Sequence, residues 1–146
     1  MKYRAGLIGL TLAAAMALIG SPATADTTTQ ATYVKNAKVT NSSPPSSAIC
    51  RDIINTSTMG SVGTVCFEAH GDVFWLNDRK ADGASIRAVG ETYANFGCNA
   101  TAGSSAGWQY CSFSTEMREG VTLYFMGYAV KNGSVLHTSE EVFVNN

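Results

Sequence analysis

The feature that most constrains the fold is the apolar run at residues 121–130, VTLYFMGYAV, which is followed by Lys131, Asn132 and Gly133. Read with a period of two, one face carries Val121, Leu123, Phe125, Gly127 and Ala129, and the other carries Thr122, Tyr124, Met126, Tyr128 and Val130. Both faces are largely apolar, which predicts a central strand covered on two sides. The Asn-Gly pair after it predicts a hairpin turn. We expect Tyr124 and Tyr128 to be buried with Val130 in a packed sandwich.

Residues 1–25 have the pattern of a secretory signal peptide. Lys2 and Arg4 precede an apolar segment at residues 7–19, and Ala23, Thr24 and Ala25 supply the small residues of a cleavage site. The apolar segment is shorter than the ~20 residues of a membrane-spanning helix, which disfavours the alternative of a retained anchor. The sequence therefore predicts a secreted, extracellular protein, bacterial by the composition of the signal, with no membrane contact after cleavage.

The chain that remains after cleavage is short and mildly acidic. Removing residues 1–25 from 146 leaves 121 residues, enough for one domain. These contain eight basic and eleven acidic residues, a formal charge of −3. Such a balance offers no electrostatic footprint for a nucleic acid or for an anionic membrane, so neither is expected as a partner.

The four cysteines, Cys50, Cys66, Cys98 and Cys111, predict two disulfides in an exported protein. Three connectivities are open. We favour Cys50–Cys66 and Cys98–Cys111 because each closes a short segment, worth about 3 kcal/mol for a ~15-residue loop. The second bridge is expected to staple a hairpin. A zinc site is the alternative, but no C-x-x-C pair occurs, and no cofactor is expected.

Residues 26–47 are rich in Thr, Ser and Asn and contain Pro44 and Pro45. This composition predicts a flexible linker, with the ordered domain beginning near Ala48 and extending over residues 48–146. A weak alternation at residues 32–40 leaves an added edge strand as the alternative.

The rest of the chain has no proline and is divided by glycines into short strand-like runs. The main runs are residues 64–70, 73–77, 85–96 with a bulge at Gly90, 108–114, 121–130 and 134–144. No segment has a helical period. The pattern predicts an all-β domain of about seven antiparallel strands, an immunoglobulin-like sandwich or a small barrel.

Several short motifs between residue 64 and about residue 130 resemble those of a known group. They are Cys66-Phe67-Glu68, Gly71-Asp72-Val73-Phe74-Trp75, Lys80-Ala81-Asp82-Gly83, Cys98 with Gly107-Trp108 and Cys111, and Met117-Arg118-Glu119-Gly120. In these the chain is similar to small secreted actinobacterial β-domain proteins, mostly of uncharacterised function. The resemblance covers about half the chain and implies a signal peptide and a compact β domain. It implies no catalytic residue.

Catalytic candidates lack a motif. His70 and His137 are the only side chains with an ordinary pKa near neutrality, and neither lies in a G-x-S-x-G or H-E-x-x-H context. A glycosidase mechanism requires two carboxyl groups that face each other, and Glu68 with Glu91 is the pair that remains possible. Adjacent Glu140 and Glu141 point to opposite faces of a regular strand. We therefore predict no catalytic residue and no enzyme activity.

The turn after residue 77 contains the only metal candidates, Asp78 and Asp82. Calcium binds six to eight oxygen ligands, and extracellular loops often use it. The spacing does not match an EF-hand, however, and Arg79 and Lys80 place positive charge in the same turn. A solvated hairpin turn is the expected state, and no metal is predicted.

Aromatic residues are the most informative binding candidates. Trp75, Trp108 and Tyr110 lie on strand-like segments, where we favour a place in the core, with an exposed platform for sugar rings or a partner protein as the alternative. We predict a non-catalytic extracellular binding module whose partner is a protein or a polysaccharide. The alternatives are an enzyme inhibitor presented on the loop at residues 99–107, and a small hydrolase.

Overall fold

The computed structural model describes residues 29–146, and the predicted signal peptide at residues 1–25 lies outside them. The strands are β1 Thr32–Asn36, β2 Lys38–Val39, β3 Ile49–Asn55, β4 Gly60–Glu68, β5 Val73–Asp78, β6 Ser85–Glu91, β7 Asn95–Asn99, β8 Trp108–Ser112, β9 Thr122–Lys131, β10 Ser134–Thr138 and β11 Val142–Asn145. A 3₁₀ turn, Ser104–Ala106, lies between β7 and β8. Within this range no helix is long and apolar enough to cross a bilayer.

Two sheets form the sandwich that the sequence predicts. Sheet A has the order β1-β7-β6-β9-β10, with β11 also paired to β9, and sheet B has the order β2-β8-β5-β4-β3. Strands β10 and β11 lie end to end along one side of the long strand β9. The all-β class is confirmed, and of the two expected architectures the sandwich is the one observed. An immunoglobulin-like connectivity stays a prediction.

The boundary of the ordered domain differs from the expected one. Residues 26–47, expected as a linker, contain β1 and β2, so the alternative of an added edge strand is the better description. Strand β1 pairs with β7 in parallel, the one exception to the expected antiparallel pattern, and β2 pairs with β8. Pairing satisfies the main-chain groups of β7 and β8 and does not require apolar side chains on the added strands.

Lys35 fixes β1 to the rest of the sandwich. Its Nζ lies 2.9 Å from Glu116 Oε1 and donates a hydrogen bond of 2.6 Å to the Ser112 carbonyl oxygen. The same ammonium sits 4.7 Å from the centre of the Phe113 ring. The hydrogen bond from Lys35 lowers the pKa of the Glu116 carboxyl below its ordinary value. A single polar residue thus makes three long-range contacts within a segment that looks like a linker in sequence.

The eleven strands exceed the expected seven partly because long runs are divided. Residues 85–96, predicted as one strand, contain β6, a turn and the beginning of β7, which form a hairpin. The predicted bulge at Gly90 is wrong, since Gly90 pairs in regular register with Phe125 and Phe96. A Cβ atom at Gly90 would lie 2.7 Å from Phe74 Cζ, so the glycine makes room for a core ring.

Phenylalanines from both sheets build the core. The fully buried rings are Phe67, Phe74, Phe96, Phe113 and Phe125. Phe74 of sheet B contacts Phe125 of sheet A with ring centres 6.1 Å apart and planes at 69°, an edge-to-face geometry. Burial of each such ring contributes roughly 2–3 kcal/mol. The core therefore lies between the sheets and leaves each sheet one outer face.

Both disulfides have the favoured connectivity. Cys50 and Cys66 are directly paired residues on β3 and β4 of sheet B. Cys98 lies on β7 of sheet A and Cys111 on β8 of sheet B, with Cα atoms 5.9 Å apart. The expected stapled hairpin is wrong, because the chain leaves sheet A after β7 and enters sheet B at β8. The second bridge joins the two sheets.

Candidate functional site: the two outer faces of the sandwich

Trp75, Trp108 and Tyr110 share the outer face of sheet B. Trp75 on β5 lies directly opposite Tyr110 on β8, with ring centres 5.7 Å apart and planes at 35°. Trp108 lies two residues before Tyr110 and therefore on the same face. All three are half-buried, whereas Phe74, on the other face of β5, is completely buried. These three residues, called here the aromatic platform, are at the surface and not in the core.

Trp75 and Tyr110 of the platform are part of a row that runs across all of sheet B, and Trp108 lies in the next row. The directly paired residues of this row are Cys50, Cys66, Trp75, Tyr110 and Lys38. The Trp75 indole is fixed in place, because its Nε1 donates a hydrogen bond of 3.1 Å to Glu68 Oε2. The disulfide at one end holds β3 against β4 and adds a further rigid contact beside the Trp75 position. The platform is thus supported on the side of Trp75.

Polar groups border the platform on the next row of the same face. Thr64 Oγ1 donates a hydrogen bond of 2.6 Å to Asp52 Oδ1, and Arg79 Nη1 lies 3.4 Å from the same oxygen. Asn77 lies opposite Trp108 and Thr64. The face therefore combines aromatic surface with donors and acceptors held in fixed positions.

The outer face of sheet A is the second candidate. The prediction that Tyr124 and Tyr128 are buried with Val130 is wrong, since all three are half-buried on this outer face. The opposite residues of β9, among them Phe125, face the core. A sandwich covers each strand on one face only, so a strand with two apolar faces leaves one of them outside. Nor do the tyrosines lie beside Trp108, which belongs to the other sheet.

A trough of about 330 Å³ crosses this outer face. Its floor is a row of directly paired apolar residues, Val34, Gly97, Val89 and Met126. Gly97 leaves the row one side chain short between Val34 and Val89, which produces the depression. The pair Arg87 and Tyr128 forms one flank, and the pair Glu91 and Tyr124 forms the other.

The two flanks differ in charge. Arg87 Nε is shielded from solvent and has no hydrogen-bond partner, and Arg87 takes part in none of the three ion pairs among residues 29–146. On the other flank, a hydrogen bond to the Glu141 carboxylate, burial and the charges of Glu141 and Glu91 raise the pKa of Tyr124 to about 12. The trough thus has a positive flank and a negative flank.

The calcium candidates Asp78 and Asp82 serve the turn. Asp78 Oδ1 accepts the Lys80 main-chain N–H at 3.0 Å, and Asp82 Oδ1 accepts that of Ala84 at 2.8 Å. Burial raises the pKa of the Asp78 carboxyl. Lys131 Nζ donates to the Asp82 carbonyl oxygen at 2.6 Å, which places a cation at the turn. Across residues 29–146 no group of three or more His, Cys, Asp or Glu side chains is close enough to hold a metal ion.

The acids considered for glycosidase chemistry are not paired. Glu68 lies on sheet B and Glu91 on sheet A, so the sandwich separates them. Glu140 Oε2 lies 4.0 Å from Arg51 Nε, whereas Glu141 is the largest cause of the raised pKa of Tyr124. His70 is exposed in the turn before β5, and His137 is half-buried on β10. These arrangements give the hydrolase alternative no support.

The loop at residues 99–107 is held from within the sandwich. The buried side chain of Gln109 accepts the main-chain N–H groups of Thr101 and Ala102 at 3.1 and 3.2 Å. The disulfide Cys98–Cys111 closes the base of the loop. Gly103 and Gly107, with φ of 72° and 69°, bound its 3₁₀ turn in a conformation that other residues rarely adopt.

The trough residues Arg87, Val89 and Gly97 did not emerge from the sequence. Their signal is an alternation within β6 and β7, since Arg87, Val89 and Glu91 share one face. That alternation identifies the trough only when the register between β6, β7 and β9 is known. The register cannot be derived from the sequence of a single strand.

Comparison of the chain with models of known protein families, with curated proteins and with solved structures gives no significant match. The resemblance to small secreted actinobacterial proteins therefore stays a prediction. The candidate function rests on the two outer faces themselves.

Proposed function

We propose that this protein is a secreted, non-catalytic module that binds an extracellular polysaccharide through the aromatic platform of sheet B. The observation that carries the proposal is the common placement of Trp75, Tyr110 and Trp108 on one partly exposed face. Secretion is supported by the signal pattern at residues 1–25 and by two disulfides, which persist in oxidising compartments.

A polysaccharide suits the chemistry of this face. Indole and phenol rings present apolar surface with a polar edge, which matches sugar rings that carry C–H groups on their faces and hydroxyls around them. Asp52 and Asn77 supply polar groups beside the rings, and the buried Thr64 fixes Asp52 through a hydrogen bond. The Trp75 indole is already fixed by Glu68, so little side-chain freedom is lost on binding.

Binding to insoluble polysaccharides tests the proposal. The disulfide-intact protein is mixed with cellulose, chitin or bacterial cell-wall particles, and the unbound fraction gives an isotherm for each. We expect retention on at least one of them, with affinity lowered about tenfold or more by Trp75→Ala or Trp108→Ala, the loss expected for a central aromatic contact.

Phe143→Ala is the matched control, because Phe143 is 70% exposed and lies on β11 of sheet A. It removes a surface aromatic ring without touching the platform, and its isotherm should equal that of the unmodified protein. Equal retention of the two tryptophan variants would remove the platform from the account.

Inhibition of an extracellular enzyme is the second candidate, favoured by the rigid loop at residues 99–107. The Gln109 side chain and the inter-sheet disulfide hold this loop in one conformation, as a presented inhibitory segment requires. A panel of secreted proteases provides the test. Inhibition at micromolar concentration that is lost when Ser105 is replaced by Pro would support this function, and no inhibition across the panel would count against it.

A further inference from the structure

The trough on sheet A has a chemical asymmetry that the platform does not explain. Arg87 Nε is enclosed without an acceptor, beside Tyr128 on the neighbouring strand. An enclosed N–H that lacks an acceptor is unfavourable, and a charged donor more so. Arg87 thus has hydrogen-bonding capacity that the described chain does not use.

No acid of the trough can supply the missing acceptor. Glu91 is the acidic residue on β6 that shares the face of Arg87, and it lies four residues farther along the strand, ~13 Å away at the rise of a β-strand. Glu141 belongs to the same far flank, since it raises the pKa of Tyr124. The Arg87 guanidinium, which forms no ion pair with residues 29–146, is therefore free to pair with an anion that enters the trough.

The floor between the flanks is apolar. Val89, Gly97 and Met126 occupy successive strands, and the trough volume of about 330 Å³ lies at the lower end of the ~300–1,000 Å³ found for small-molecule sites. A ligand of this size that satisfies Arg87 would bring an oxyanion at one end and apolar surface over the rest.

We propose that the trough binds a small apolar carboxylate. The carboxylate pairs with the Arg87 guanidinium, whose planar set of donors matches two carboxylate oxygens. The apolar body lies over Val89 and Gly97 against Met126. The negative flank fixes the orientation, because a carboxylate placed there would face Glu91 and Glu141. This site is independent of the polysaccharide platform, which lies on the other sheet.

Three probes of one shape test the proposal: indole-3-acetate, its neutral amide indole-3-acetamide, and the cation tryptamine. Each is titrated into the ¹⁵N-labelled, disulfide-intact protein, and the Nε–H signal of Arg87 is followed by NMR. We expect indole-3-acetate to shift that signal and the main-chain signals of Val89 and Gly97, with a Kd of about 1 mM or tighter for a ligand of this size. The amide and the amine should bind at least about tenfold more weakly.

Two variants give a matched comparison. Arg87→Gln keeps a polar side chain but removes the charge, and it should weaken binding of indole-3-acetate about tenfold or more. Arg118→Gln removes the same charge from a residue that stacks on Tyr93, outside the trough, and should leave the affinity unchanged. If Arg87→Gln does not fold, the titration of the unmodified protein remains a complete test.

Equal binding of the acid and the amide would overturn the proposal, as would stronger binding of tryptamine. Shifts confined to residues outside the trough, or no shift at 10 mM probe, about ten times the expected Kd, would overturn it as well. Since the readout is local to Arg87, these outcomes are distinguishable from a failure of polysaccharide binding.

Discussion

On both outer faces of the sandwich, every second residue of a strand points outward, but the resulting surfaces differ in shape. On sheet B, the central strands place Trp75 directly opposite Tyr110, and the bulky rings fill the surface. On sheet A, Gly97 lies between Val34 and Val89 and has no side chain, and this face has a trough. The comparison indicates that the side chain at a given register position contributes to whether a sheet face is a platform or a groove.

Glycines on the inner face of sheet A have the opposite consequence. A Cβ atom at Gly127 would lie 2.6 Å from Val65 Cγ2, so the space left by that glycine is filled by the facing sheet. At Gly97 a Cβ atom would lie 3.4 Å from Val34 Cγ2 on the neighbouring strand, an ordinary contact distance, and no residue of the facing sheet fills the space. A glycine in a strand therefore indicates close packing on an inner face and a potential site on an outer face.

The largest expected effects concern the bridges that hold the two faces. Replacement of Cys98 and Cys111 by alanine removes an inter-sheet link that is almost fully buried, and should lower the free energy of unfolding by about 3–5 kcal/mol. The same replacement of Cys50 and Cys66 acts within sheet B and should cost about 2–3 kcal/mol. Denaturant unfolding of both double variants measures the difference.

The two loops are of similar length, with sequence separations of 13 and 16 residues, so chain entropy alone predicts nearly equal losses. A larger loss for the Cys50 and Cys66 pair would contradict the expectation that the bridge between the sheets contributes more stability than the bridge within sheet B.

The next effect separates the inner from the outer face. Gly127→Ala places a methyl group against Val65 and Ile53 in a closely packed core and should destabilise the fold by about 1–3 kcal/mol. Gly97→Ala meets Val34 Cγ2 at 3.4 Å on the open face, so its cost should stay below about 0.5 kcal/mol. Thermal and denaturant unfolding of the two variants provide the measurement. Equal destabilisation would mean that the trough is not open.

The smallest expected effect is a pH dependence of stability that arises from Tyr124, on the negative flank of the trough. The pKa of Tyr124 is raised to about 12, so its hydroxyl stays protonated above pH 10, the ordinary pKa of a tyrosine. A raised folded-state pKa contributes stability that is fully present below pH 10 and is lost as the pH rises from 10 to about 12. Ultraviolet titration of tyrosinate should show a late phase near pH 12.

That late phase should disappear in Tyr124→Phe and move to lower pH in Glu141→Gln, because Glu141 is the largest cause of the raised pKa of Tyr124. Tyr93→Phe is the control, since Tyr93 donates to the Glu116 carbonyl oxygen away from the trough. A late phase unchanged in Tyr124→Phe would contradict the charge asymmetry.

Much of the fold follows from local pattern. Alternation and turn residues are sufficient to predict the all-β class and strands such as β5, β8 and β9, and short loops favour the correct cysteine pairs. The predictions that fail all depend on contacts between residues far apart in the sequence. Polar residues at 32–39 look like a linker because their order comes from pairing with β7 and β8 and from contacts of Lys35. Nothing local reports such partners.

The two aromatic groups show the same limit at the candidate sites. Trp75 and Tyr110 alternate with core residues, so a shared outer face is readable once their strands are known. For β9 both faces are apolar, and the sequence does not say that the outer one with Tyr124 and Tyr128 has no covering layer. The pairing of Arg87, Gly97 and Met126 into one trough depends on three registers and is beyond local pattern.

The central claim is that the two outer faces are separate surfaces and that sheet B carries the main binding function. The most direct measurement uses one insoluble polysaccharide that retains the protein. Binding isotherms of Trp75→Ala and Tyr128→Ala on it are compared with that of the unmodified protein. We predict at least about tenfold weaker binding for Trp75→Ala and unchanged binding for Tyr128→Ala. Loss of binding with Tyr128→Ala, and retention with Trp75→Ala, would place the function on the opposite sheet and contradict the account.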